Sequence, residues 1–334
     1  MHGSKAKDHV MAKTSMATQQ ETLQTHAKYE RLIARAKGVE SAKTLIVHPC
    51  DETSLRGAIE AAAANLIVPI LVGPAAKISA VARTHKLDLG GIEIVDAAHS
   101  DAAAEKAVEL VQAGMGEVLM KGSLHTDELM RAVTNSKTGL RTARRISHVF
   151  VLDVPTYAET LFITDAAINI FPDLDAKRDI VQNAIDLWTQ TGLGTPRVAI
   201  LSAVETVTSK IPSTVEAAAL CKMADRGQIT GGILDGPLAF DNAIDPEAAK
   251  IKGIKSEVAG RAQILVVPDL EAGNMLAKNL IFLAHADAAG LVLGARVPVI
   301  LTSRADSVRA RMASCAVAVL YADARRRKAA VTAV

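Results

Sequence analysis

Aromatic residues make up only 3% of the 334-residue chain, and tryptophan occurs once. Alanine and the aliphatic residues must therefore do the packing. The three cysteines, Cys50, Cys221 and Cys315, lie far apart and form no C-x-x-C. That excludes a disulfide framework and a cysteine zinc site, and points to free thiols in a reducing compartment. No apolar run is long enough to span a bilayer, and the N-terminus lacks the apolar core of a secretory signal, so a cytoplasmic protein with no membrane partner is expected. A net charge of +2 is too small to imply nucleic acid as a partner. The nine histidines show no H-E-x-x-H or other ligand spacing, so no metal is expected.

Familiar phosphate and nucleophile motifs are missing as well. Lys121-Gly122-Ser123 has the wrong order and upstream spacing for a Walker loop. Gly114-x-Gly116 and Gly192-x-Gly194 fail the dinucleotide fingerprint. There is no G-x-S-x-G elbow, which argues against an α/β-hydrolase.

What is present is an alternation of short apolar runs and helical periods. Strands are expected at Thr44–His48, Leu66–Val72, Ile92–Val95 and Glu117–Met120, with helices between them. Such alternation implies a mostly parallel sheet with helices on both faces. From Val149 the pattern changes to three close-spaced strands, Val149–Leu152, Leu161–Thr164 and Ile168–Ile170, which mark a domain change. A helix with Trp188 as a packing residue follows, and then renewed alternation. A strand is expected at Ile229–Leu234, with a turn at Asp235-Gly236-Pro237 after it. Residues 1–20 read as a disordered tail, in part an expression-tag remnant, and Arg325–Lys328 as a solvated basic tail.

Two stretches carry candidate chemistry. Pro298–Leu301 reads as a buried strand, followed by Thr302-Ser303-Arg304 and a helix through Val308, Met312, Cys315 and Val319. A polar turn between strand and helix is a binding position in α/β folds, and a new helix offers unpaired N–H groups to an anion. Ser303-x-x-Asp306 equally fits a capping box, so structure and function stand even here. The second stretch, Thr134–His148, holds Lys137, Arg141, Arg144 and Arg145 and no acidic residue, which suggests a phosphate-bearing ligand or a solvated loop. His125 and His148 flank it.

Taken together, the segments MKGSLHTDELMRAV, GLRTARRISHVFVLDVP, ILSAVET, KIPSTVEAA, DGPLAFDNAI, PDLEAGNMLAK and GARVPVILTSRADS resemble the phosphate acetyl/butyryl transferase family, from about Leu45 to Ala322. Their wording is closer to the butyryltransferase branch. The resemblance implies the reaction acyl-CoA plus phosphate to acyl phosphate plus CoA, without a cofactor. It implies a two-domain α/β fold of the isocitrate/isopropylmalate dehydrogenase type with mostly parallel sheets and an interdomain cleft. The domains would be 21–148 plus 295–334, and 149–294, and the protein a homodimer. Ser303 and Arg304 fall on the family's catalytic pair, the arginine holding phosphate and the serine stabilising the transition state. Arg131 also falls on the pattern, and Arg141, Lys121 and Asn274 are expected to bind substrate. A non-catalytic CoA-binding homologue and an acyl-carrier-protein phosphate acyltransferase of the same fold are the alternatives.

One departure stands out. Family acetyltransferases carry an aspartate about two turns into the last helix, as a base toward the CoA thiol. Here that region reads Val308-Arg309-Ala310-Arg311, which leaves Asp306, a carboxylate from elsewhere, or no base at all. A second phosphate-site arginine before the K-G segment also lacks a match in AEKAVELVQAGMGEVL.

Overall fold

A computed structural model describes residues 27–301 and 307–332. The expected tail at 1–20 therefore lies outside the described residues. Eleven strands form one sheet: β1 (Ala42–Val47), β2 (Ile67–Gly73), β3 (Glu93–Asp96), β4 (Val118–Lys121), β5 (Ser147–Asp153), β6 (Leu161–Thr164), β7 (Arg197–Leu201), β8 (Ile233–Leu238), β9 (Ile264–Val266), β10 (Asp287–Leu293) and β11 (Val299–Ile300). Their order is β3-β2-β1-β4-β11-β10-β5-β6-β9-β7-β8. Neighbours are parallel except at β11–β10, β10–β5 and β5–β6. The sheet thus consists of two parallel blocks running in opposite directions, joined by an antiparallel seam.

Apolar burial follows the period-2 pleat. On one face, Ile46, Met120, Ile300, Leu291, Val149, Phe162 and Val198 belong to a single core that runs across the seam. Its backing is α11 (Val308–Thr332), which contacts β10, β11, α1 (Ala27–Ala36), α2 (Glu52–Ala63) and α6 (Leu174–Gln190). Trp188 of α6 packs edge-on against Phe162 at 4.9 Å, the packing role expected of it. On the other face the core is split. Leu45, Leu119, Val292 and Val299 pack with α4 (Ser100–Gln112) and α5 (Thr126–Thr134). Leu152, Ile163, Ala199 and Leu265 form a separate cluster that includes Ala277 of α10 (Leu270–Leu283).

Four local expectations need correction. Ile168–Ile170 is not a strand, because the Asp165 carboxylate accepts from the N–H groups of Ala167, Ile168 and Asn169 (2.9, 3.0 and 3.2 Å) and curls the chain. The strand expected at Ile229–Leu234 begins at Ile233 and runs on through Asp235-Gly236-Pro237, which is no turn. β8 is an edge strand, where proline's missing N–H does no harm. Arg325–Lys328 is not a tail but part of α11, and Arg326 pairs with Glu117 at 3.0 Å and donates to the Glu40 carbonyl at 2.7 Å. Two short helices after β8, α8 (Phe240–Ile244) and α9 (Pro246–Ile251), were unforeseen; Asp245 caps the second through Glu247 N and Ala248 N.

The N-terminal helix is tied to the seam by a buried charge. Lys28 Nζ lies 3.0 Å from Asp153 Oδ1 and donates to the Val154 carbonyl at 2.7 Å. Tyr29 adds an N–H to Asp153 Oδ2 (3.1 Å) and a hydroxyl to the Val151 carbonyl (2.5 Å). Removing one partner of such a pair leaves an uncompensated buried charge, whereas replacing both does not. Lys28→Ala is therefore expected to destabilise the protein by about 3–5 kcal/mol, read from the urea unfolding midpoint. Recovery of most of that loss in the Lys28→Met/Asp153→Leu double variant separates the lone charge from lost packing.

Candidate functional site

The split core leaves an opening at the seam. A cavity of about 630 Å³ sits there, lined by Lys121, His125, His148, Phe150, Asn274 and Leu301 among others. Lys121 ends β4, Leu301 follows β11, His148 and Phe150 lie on β5, and Asn274 projects from α10. Ligand sites at the carboxyl ends of parallel strands are the general rule for α/β sheets.

The loop after β4 forms one rim of the cavity, and it is locked to the loop after β1. Gly122 N donates to the Val47 carbonyl (2.8 Å), and Ser123 N and Oγ both donate to the His48 carbonyl (2.9 and 2.7 Å). His48 Nδ1 stands 3.0 Å from Ser123 Oγ, which also accepts from Cys50 N at 3.2 Å. Burial and the Lys77 ammonium push the His48 pKa down, against the opposing pull of Glu128 and Asp51, so the ring is neutral at pH 7. Lys121 Nζ is aimed along this rim, donating to the carbonyls of Gly122 and Leu124 (3.2 and 3.1 Å).

The candidate residues fall into three groups. Lys121 and Asn274 line the one cavity, and Asn274 Nδ2 is steadied by the Ala166 carbonyl at 3.2 Å. Arg131 and Arg141 do not line it. Arg131 pairs with Asp101 (3.3 Å) and Asp127 (3.6 Å) beside a second cavity of 710 Å³. That cavity is bordered by Asp101, Glu105, Glu109 and Glu128, the wrong sign for phosphate. Arg141 is exposed and bridges to Ala295, beyond the far end of β10. Ser303, Arg304 and Asp306 lie outside the described residues. α11 begins at Val308, and its cap is Ser307, whose Oγ accepts from Ala310 N at 3.1 Å. The capping reading of Ser303 is thus not needed to start the helix.

The basic segment is less unpaired than its sequence suggests. Arg144 faces Asp186 at 3.8 Å, and Arg145 donates to Asn169 Oδ1 at 2.7 Å and through its N–H to Asp179 at 2.8 Å. The partners come from α6 and the Asp165 loop, far along the chain. Sequence reasoning gave His148 no more weight than His125, although it occupies the seam strand. Its ring is buried and packs edge-on against Phe150 at 4.4 Å.

Thiol nucleophiles are disfavoured. Burial pushes Cys221 and Cys315 up to about 12, and raises Cys50 as well. Among the described residues no group of three His, Cys, Asp or Glu is arranged to hold a metal.

Gly122 makes the rim possible, because a Cβ there would lie 2.4 Å from the Val47 carbonyl oxygen and 2.7 Å from that of His48. Gly122→Ala is expected to cost about 1–3 kcal/mol in urea unfolding and to lower turnover further, by moving Lys121 and Ser123. Unchanged stability would show that the two loops are not fixed to each other.

Comparison with known proteins now adds to the geometry. The family model described as "Phosphate acetyl/butaryl transferase" matches residues 99–319. A phosphate acetyltransferase of Rhizobium meliloti is 76% identical over 308 residues, covering 92% of this chain and 97% of that protein. A phosphate butyryltransferase of Clostridium beijerinckii is 42% identical over 294 residues, covering 88% and 97%. The motif wording that resembled the butyryl branch therefore coexists with much higher identity to a protein named for acetyl. The crystal structure of a branched-chain phosphotransacylase from Enterococcus faecalis V583 superposes with a TM-score of 0.71 at 29% identity, covering 84% of this chain and 99% of that one. Fold, motif order and relatives agree: the chain belongs to the phosphate acetyl/butyryl transferase family.

Proposed function

We propose that the protein is a phosphate acetyltransferase, acting in the seam cavity on acetyl-CoA and phosphate to give acetyl phosphate and CoA. The observation that carries this reading is the convergence of Lys121, His148, Asn274 and Leu301 on one cavity in a chain 76% identical to a phosphate acetyltransferase. Leu301 leads directly into Thr302-Ser303-Arg304. The split core on the cavity face supports a two-domain description of the dehydrogenase type. One domain would hold 21–148 and 295–334, the other 149–294, with the substrates between them.

The chemistry follows from charge. Phosphate attacking a thioester must have its charge held and its oxygen aimed, which suits Arg304 and the Lys121 ammonium. Ser303 is suited to donate to the oxyanion that develops on the carbonyl. The departing thiolate, with a thiol pKa near 8.5, is already a fair leaving group. Phe150, Leu270 and Ile281 supply an apolar wall for an acyl group. An extra methylene on such a wall is worth about 1–3 kcal/mol, so acetyl and butyryl are separated only modestly.

A homodimer is part of this reading. α10 exposes Met275, Phe282 and Leu283, and the adjoining Ile170–Phe171 segment is exposed as well. Leu270 N donates to the Ile170 carbonyl at 3.1 Å, which ties that segment to the start of the helix. A second copy of this chain is the proposed cover.

Release of CoA thiol from acetyl-CoA is expected to depend on phosphate and to fall by about 10²-fold or more in Arg304→Ala. No phosphate dependence with acetyl- or butyryl-CoA removes the reading. Lys121→Met should raise the Michaelis constant for phosphate or CoA. Arg141→Glu distinguishes the cavity from the basic segment: unchanged constants favour the cavity, raised ones the segment. Phe282→Glu is expected to convert the dimer to monomer in light scattering, and a monomeric wild type overturns that proposal.

A further inference from the structure

The cavity's described lining contains no carboxylate; the only weak bases in it are His125 and His148. The first two turns of the last helix offer none either, reading Val308-Arg309-Ala310-Arg311. His125 is exposed at the start of α5. His148 is different. It is 2% exposed, yet it borders the cavity, and its Nδ1 has no hydrogen-bond partner among the described residues. A buried, unpaired ring nitrogen is costly to keep. Room for the ring is provided by the strand beside it: a Cβ at Gly290 would lie 2.8 Å from His148 Nε2. The backbone at this point is fixed, with Thr164 Oγ1 donating to the His148 carbonyl at 2.8 Å.

Resting on the proposed acetyltransferase reading, we propose that His148 is the proton-transfer group of this site. As an oxygen of hydrogen phosphate attacks the thioester carbonyl, the imidazole takes that phosphate's proton. The new C–O bond forms, the C–S bond breaks, and the imidazolium returns the same proton to the departing CoA sulfur. In reverse, the ring takes the thiol proton, sulfur attacks acetyl phosphate, and the proton goes to the leaving phosphate. No proton is gained or lost across the step.

The surroundings keep the ring neutral until an anion is bound beside it. Burial pushes its pKa down to about 4, against the pull of the Asp165 charge, so the lone pair is free at neutral pH. Lys121 and His125, the other titratable groups of the cavity lining, add no negative charge. The Asp165 carboxylate is spent on backbone N–H groups and Asn169. A bound phosphate is thus the anion that would steady the imidazolium once formed.

The test runs acetyl phosphate plus CoA across pH 6–9, after phosphate-dependent release of CoA by the wild type has established the reaction itself. His148→Gln is expected to lose about 10²–10⁴-fold in kcat near pH 7 with little change in KM. The lost rate should return as pH rises toward 9, where CoA ionises unaided. His148→Ala should regain rate with added imidazole, which fits the space the ring leaves. A mutant within threefold of wild type, or one equally depressed at every pH and not rescued by imidazole, overturns the proposal while leaving the acetyltransferase reading intact. Absence of phosphate-dependent activity in the wild type overturns both.

Discussion

The reversal of strand direction at β10 and β5 is the constraint on which the rest depends. Within each parallel block, every strand-to-strand crossover lays a helix on the sheet, and both faces become covered. At the antiparallel seam no crossover is required. One face of the seam is covered because α11 lies across it and joins both halves into one core. Among the described residues the other face has no equivalent, and its apolar residues collect into two clusters. The cavity lies on the face where the described residues form two clusters rather than one.

That position explains which residues meet there. A site at the seam can draw on the carboxyl ends of β4 and β11, on the outward-facing residues of β5 and β10, and on a helix from the second block. Lys121, Leu301, His148, Gly290 and Asn274 come from those five places. They are up to about 180 positions apart in the chain, a separation that folding topology closes and local pattern does not encode.

Much of the fold was legible for that reason, and less of the site. Runs such as Ile67–Gly73 and helices such as Ser100–Gln112 announce themselves by period, because their burial is repetitive. Asp165 bends the chain through N–H groups only two to four residues on, a local turn signal that the apolar run Ile168–Ile170 masked. Pro237 suggested a turn because a sequence does not say which strand is an edge. The basic tail at Arg325–Lys328 looked solvated because its counter-charge, Glu117, lies some 200 positions away. Lys121 and Asn274 were both expected to bind substrate, but nothing in their spacing says that they share a cavity. Neither the segregation of Arg131 and Arg141 from the cavity nor the isolation of His148 could be read from spacing.

The same logic bears on why a neutral imidazole is a sensible substitute for a carboxylate. A carboxylate in this half-dry cavity would repel the phosphate that must bind beside it, by an amount set by the low effective dielectric. A buried histidine carries no charge while phosphate enters, acquires one only as the proton moves, and then attracts the anion rather than opposing it. The order of events matters: the unfavourable burial of charge is deferred to the moment when an opposite charge is already in place. Gly290 belongs to the same arrangement, since only a residue without a Cβ leaves the ring its space.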